Sequence, residues 1–157
     1  MKEKRILFVP HCILNPDVSD KTRSTSEIVR MITESGVGIV QLPCPIIEYN
    51  KKLVKETRNS KEYGEYCRQL SIKILCDIKK YLDADYKVLG VLGVEFSVSC
   101  GVHHTRTSKR KMPGKGTLMR ELESGMMKRE FQIPLIPANF ENVVSTIEKL
   151  NSLIKNN

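Results

Sequence analysis

From Val88 to Val94 the chain runs Val-Leu-Gly-Val-Leu-Gly-Val, without one polar residue. A strand with one face in water alternates polar and apolar positions, so a run this continuous reads as a strand covered on both faces, as in parallel α/β packing. Shorter runs place strands at Arg5 to Val9, Val37 to Leu42 and Gln132 to Ile136. Helical stripes lie between them. Ser24 with Glu27 three residues on makes a capping box ahead of Ile28, Met31 and Ile32, and Gly36 ends that helix. A long helix opens at Asn59, with Glu62 three on, and carries Tyr63, Cys67, Leu70, Ile74, Ile78 and Tyr81 at helical spacing. Further helices are expected from Thr117 to Arg129 and from Asn139 onward. Strand and helix thus alternate from end to end. The expected fold is a single α/β domain over residues 1–157: a Rossmann-like open parallel sheet of about four strands, right-handed crossovers and helices on both faces.

At 157 residues such a domain has room for one core. The apolar run falls far short of the roughly 20 residues that a membrane helix needs, so no membrane partner is expected. Lys2, Lys4 and Arg5 imitate the start of a signal peptide, but Pro10-His11-Cys12 cuts the apolar stretch short, and a cytoplasmic protein is expected. The net charge of +8 favours acidic partners without naming one.

Five cysteines, an odd number widely spaced, argue against a disulfide framework. Cys12, Cys44 and Cys100 each lie just past the carboxyl end of one of three successive strands, the edge where open α/β sheets bind ligands. Three thiolates around one point repel unless a cation neutralises them, which makes a metal or cluster the natural occupant. Pro43 and Pro45 bracket Cys44 and stiffen its loop, and Gly101 after Cys100 lets backbone pass close to a ligand. Ser97 and Ser99 add hydroxyls. The competing reading is three inert core thiols, since free cysteine is among the most buried residue types. Cys67 lies in the apolar stripe of the long helix and reads as core; Cys76 lies off it and has no assigned role.

The motifs His11-Cys12-Ile13-Leu14-Asn15, Gln41-Leu42-Pro43-Cys44-Pro45, Gly90-Val91-Leu92-Gly93-Val94-Glu95 and Ser97-Val98-Ser99-Cys100-Gly101, and more weakly Gly114-Lys115-Gly116, carry a resemblance. Over nearly its whole length the chain resembles the TudS-like thiouracil desulfidases, in particular their shorter relatives. The resemblance implies a [4Fe–4S] cluster held by Cys12, Cys44 and Cys100 with one iron open. That iron takes the sulfur of a thiolated nucleobase or related thiocarbonyl compound, which water replaces at carbon without net redox. Two departures stand out. The family's acidic residue after Cys-Pro is Ile46 here, leaving Glu48 or Glu95 to substitute. Phe96 and Val98 replace a glycine and a proline, and a bulky Phe96 at the mouth would reshape the pocket. Ser97, Ser99, Glu48 and Glu95 are therefore the candidate catalytic residues. His11, Asn15, Phe96, Gly101 and His103 are the candidate substrate-binding residues.

Other patterns keep alternatives open. His103 and His104 could complete a zinc site with the cysteines, giving a zinc-dependent hydrolase. Arg106, Lys109, Arg110, Lys111 and Lys115 fall within ten residues that hold no acid, either a solvated loop or a guide for tRNA or a nucleotide. No aromatic residue is interleaved with them, so base stacking is not evident. Gly114-Lys115-Gly116-Thr117 fails as a phosphate loop, and no Gly-x-Gly-x-x-Gly follows the first strand. Met112, Met119, Met126 and Met127 read as core filling. The oligomeric state is left open.

Overall fold

The computed structural model describes residues 2–18, 22–49, 61–106 and 110–157, with residues 22–24 as backbone only. Four parallel strands form the main sheet: β1 (Arg5–Pro10), β2 (Gly38–Leu42), β3 (Lys87–Val94) and β6 (Leu135–Ala138), in the order β2-β1-β3-β6. A hairpin of β4 (His104–Arg106) and β5 (Lys111–Pro113) stands apart from it. The helices are α1 (His11–Leu14), α2 (Thr22–Glu34), α3 (Pro45–Tyr49), α4 (Lys61–Asp83), α5 (Thr117–Lys128) and α6 (Val143–Lys155). The expected α/β class, parallel sheet and four main strands are all present.

Helices cover both faces, as the unbroken apolar run in β3 demands. On one face Phe8, Val88 and Val91 pack against Tyr63, Ile74, Leu118 and Leu122 of α4 and α5. On the other, Leu7, Leu89 and Leu92 pack against Ile28, Ile32, Leu150 and Ile154 of α2 and α6. A register shift makes this division possible: β1 pairs Ile6 with Val88 but Leu7 with Gly90, so the inserted Leu89 resets the alternation. Gly90 is demanded by its neighbour in β6, because a Cβ there would stand 2.4 Å from Ile136 Cδ1.

Several expected boundaries move. α2 runs from Thr22, two residues before the expected cap position Ser24. Its other end is as expected: Gly36, at φ 69°, lets Val37 N–H reach the Ile32 carbonyl. The last strand starts at Leu135 and not Gln132, because Glu130 in the left-handed region ends α5 with Phe131 N–H bonded to the Met126 carbonyl, and the chain must then travel to the sheet. The final helix starts at Val143. Asn142 caps it by accepting from Ser145 N–H, while Asn139 turns the chain beforehand by accepting from Glu141 N–H. The expected start of the long helix at Asn59 lies outside the described residues. Met119 and Met126 fill the core, but Met112 and Met127 are exposed, because they lie on β5 and on the outer side of α5. Among the described residues no helix is long and apolar enough to cross a membrane.

Candidate functional site

The chain leaves β1 towards β2 on one side of the sheet and later places β3 on the other, so the carboxyl ends of β1 and β3 flank a topological switch point. Cys12 follows there as the second residue of α1. Cys44 sits two residues beyond β2, and Pro45 after it opens α3, where its fixed φ suits a first helical position. Cys100 lies in the turn beyond β3. All three line one cavity of about 380 Å³. Its other walls are mostly apolar, formed by Val18, Pro45, Ile46, Ile47 and Val94, and among the described residues no Lys or Arg lines it. Burial first, and then Cys44, pushes the Cys12 thiol up to about 11. Cys100 is raised by burial and by Cys12 and Cys44, against a hydrogen bond from Ser97 that favours its thiolate.

The Cys100 turn is built from its own backbone. Ser97 Oγ accepts from the N–H groups of Ser99 (3.3 Å) and Cys100 (3.1 Å). Glu95, buried at 8% exposure, closes the turn from behind. Its Oε1 accepts from Val102 N–H at 2.7 Å and His103 N–H at 2.8 Å, and its Oε2 contacts His104 Nδ1 at 3.1 Å. Burial opposes ionisation of Glu95, but these donors outweigh it and hold the carboxyl below its usual range. A Cβ on Gly101 would stand 2.1 Å from the His104 carbonyl oxygen, so this glycine serves the packing of the turn on itself and not the approach of a ligand.

Of the candidate catalytic residues, Ser97 lines the cavity. Ser99 does not: it is fully buried and hydrogen-bonded to Tyr63 Oη. Glu48 is exposed on α3 and accepts from Tyr66 Oη at 3.0 Å, and Glu95 is committed to the turn. His11 Nδ1 lies 2.6 Å from Gln41 Nε2, and Asn15 Oδ1 accepts from Asp17 N–H at 3.2 Å. Neither His11 nor Asn15 is part of the cavity wall. The expectation that Phe96 stands at the mouth is corrected. At φ 68° its ring turns to the hairpin, with Lys111 Nζ 4.2 Å and Arg106 Cζ 5.4 Å from its centre. His103 is exposed and His104 lies against Glu95, so neither histidine is brought to the three cysteines. Among the described residues no three His, Cys, Asp or Glu side chains gather closely enough to hold one metal ion. Cys67 is core, as expected, and Cys76, read as lying off the apolar stripe, is exposed.

The residue missed is Asp17, the one carboxylate in the cavity wall among the described residues. It sits in a 3-10 turn, Pro16–Val18, that reads in sequence as a plain Asn-Pro-Asp linker. The proline and the asparagine, which together fix a turn at one angle, were the available signal. Three cations of the basic stretch have acidic partners. Arg106 and Lys111 both pair with Glu141, and Lys115 with Glu123. The aromatic absent from the stretch itself arrives as Phe96. Lys109 lies outside the described residues.

Over an alignment of 164 positions the chain is 30% identical to the uncharacterized protein MJ0003 of Methanocaldococcus jannaschii, covering 96% of this chain and 99% of that one. The chain belongs to the family of that archaeal protein. The alignment takes in nearly the whole of both chains. No protein-family model matches the chain, and no solved structure matches it.

Proposed function

We propose that this chain is a cytoplasmic iron–sulfur desulfidase, removing sulfur from a thiolated nucleobase or related thiocarbonyl compound. The observation that carries the reading is the meeting of Cys12, Cys44 and Cys100, from three strand ends, in one cavity whose described walls are largely apolar and hold no cationic side chain. The donor set fits a cluster. Burial and the neighbouring thiols raise Cys12 and Cys100, so a bound cation would favour their thiolates. Three thiolates with no fourth protein ligand among the described residues suit a polynuclear iron–sulfur centre that keeps one iron open. The resemblance to the TudS-like enzymes supports the same ligands.

When bound, a [4Fe–4S] cluster held by three cysteines supplies a soft Lewis-acidic iron with an open position, which prefers sulfur to oxygen. The chain's own residues do the rest. Ile46, Val18 and Val94 offer apolar walls to a flat base and keep bulk water out. Ser97 fixes the Cys100 turn through two backbone donors while its hydroxyl bonds the Cys100 sulfur. The test is the iron, acid-labile sulfide and zinc content of protein reconstituted without oxygen, followed by hydrogen sulfide release from thiouracils. About four iron and four sulfide per chain are expected, with loss in Cys44→Ser. A full cluster in that variant removes Cys44 as a ligand; zinc without sulfide points to a zinc-dependent hydrolase; neither metal returns the thiols to the core.

The hairpin favours a second reading, a non-catalytic metal protein that binds RNA such as tRNA. Phe96 set beneath Arg106 and Lys111 combines an aromatic platform with cations. Under this reading the salt dependence of RNA affinity weakens by about 0.7 to 0.9 in log–log slope for each phosphate contact removed by Arg110→Gln or Lys111→Gln. Equal affinity and slope in both variants and wild type remove the hairpin from the account.

A further inference from the structure

Among the described residues the wall of the thiol cavity holds one carboxylate, Asp17, and it comes from a segment to which neither the motifs nor the resemblance assigned any role. Asp17 follows Cys12 closely in the chain and is tied to the same short helix. Asn15 N–H bonds the His11 carbonyl at 2.8 Å, Val18 N–H the Asn15 carbonyl at 3.2 Å, and Asn15 Oδ1 takes Asp17 N–H at 3.2 Å. The backbone that sets Cys12 at the cavity therefore sets Asp17 there too. Its carboxylate has no hydrogen bond or ion pair among the described residues, whereas Glu48 is engaged by Tyr66 and Glu95 by three groups of the Cys100 turn. Asp17 is also exposed, so it can exchange protons with solvent from the rim of an otherwise apolar chamber.

We propose that Asp17 is the catalytic proton carrier of this site, standing in for the acidic residue whose place Ile46 takes. The proposal rests on the desulfidase reading. An Asp17 Oδ takes a proton from water as the water oxygen bonds to the thiocarbonyl carbon and the C=S π pair moves onto sulfur. The carbon–sulfur bond then breaks with its electron pair on sulfur. Oδ returns its proton to that sulfur, and the adduct's hydroxyl gives up the second proton by way of the same carboxylate. Thiocarbonyl and water become carbonyl and hydrogen sulfide, and no electron is gained or lost. Asn15 acts as a positioning residue for this carboxylate.

The experiment compares wild type, Asp17→Asn and Asp17→Glu after anaerobic reconstitution, reading iron and sulfide content, thiouracil binding by difference absorbance, and hydrogen sulfide release. Asp17→Asn should keep wild-type iron, sulfide and thiouracil binding while release falls about 10²- to 10⁴-fold, the usual range for a lost general acid–base. Asp17→Glu should recover part of the rate. Near wild-type release by Asp17→Asn overturns the assignment and leaves the desulfidase reading standing. Loss of iron in Asp17→Asn overturns it too, making Asp17 a ligand. Wild-type protein that holds iron and binds thiouracil but releases no hydrogen sulfide overturns the desulfidase reading, and the role of Asp17 with it.

Discussion

Phe96 holds a left-handed backbone, φ 68°, that an L side chain enters at a cost of about 1–2 kcal/mol. Asp85 and Glu130 also have positive φ, but each ends a helix, where such a residue closes the last turn. Phe96 ends no helix. It is held by its N–H on the His104 carbonyl and by its ring against Arg106 and Lys111, contacts that dock the hairpin on the turn carrying Cys100. Two substitutions separate backbone from ring. Phe96→Ala loses the ring and keeps the strain, while Phe96→Gly loses the ring and relieves it, at some expense in unfolded-state entropy. Phe96→Gly should therefore be the more stable variant by roughly 0.5–1 kcal/mol in urea unfolding, the reverse of the order expected in an ordinary strand or helix. If Phe96→Ala is the more stable, the ring does not sit on a strained backbone. The identity of this residue was legible in the sequence and its direction was not, because the sign of one φ decides which way the side chain points.

At the level of elements, what was legible follows from periodicity. The seven apolar residues ending at Val94 fell inside β3, and the stripe through Tyr63, Cys67, Leu70 and Ile74 faces the core. Ends were read less well, because a cap is a local competition among similar residues. Asn139 and Asn142 can each accept a backbone hydrogen bond, and only the docking of α6 on β6 decides which one caps. Ser24 and Glu27 have capping-box spacing, yet α2 starts two residues earlier. Turns were hardest. Glu95 reads as a free acid near the site until the Cys100 turn folds back and three donors converge on it, a contact with no sequence period behind it. Asp17 was missed for the same reason: nothing in Asn-Pro-Asp says which way the turn carries its carboxylate.

For the whole molecule, the strand order makes a single site out of three distant cysteines. Placing β1 at the centre, between β2 and β3, brings together the segments that follow all three strands. Any group bound by Cys12, Cys44 and Cys100 therefore ties α1, the start of α3 and the Cys100 turn to one another, which the unfolded chain cannot do. A ligand that binds only the native state stabilises it by about 2.7 kcal/mol at a hundred times its dissociation constant. In a chain of this size each kcal/mol raises the midpoint by about 2–4 °C, so anaerobically reconstituted protein should melt roughly 5–10 °C above the metal-free form. Chelation should reverse the shift, and Cys100→Ala should abolish it. Cys67→Ala tests the geometry: Cys67 is fully buried in the core and outside the cavity wall, so the variant should melt lower in both forms while keeping the difference between them. A shift that survives in Cys100→Ala would mean that the metal stabilises the fold from some other place, and the three-strand cavity would lose its role as the metal centre.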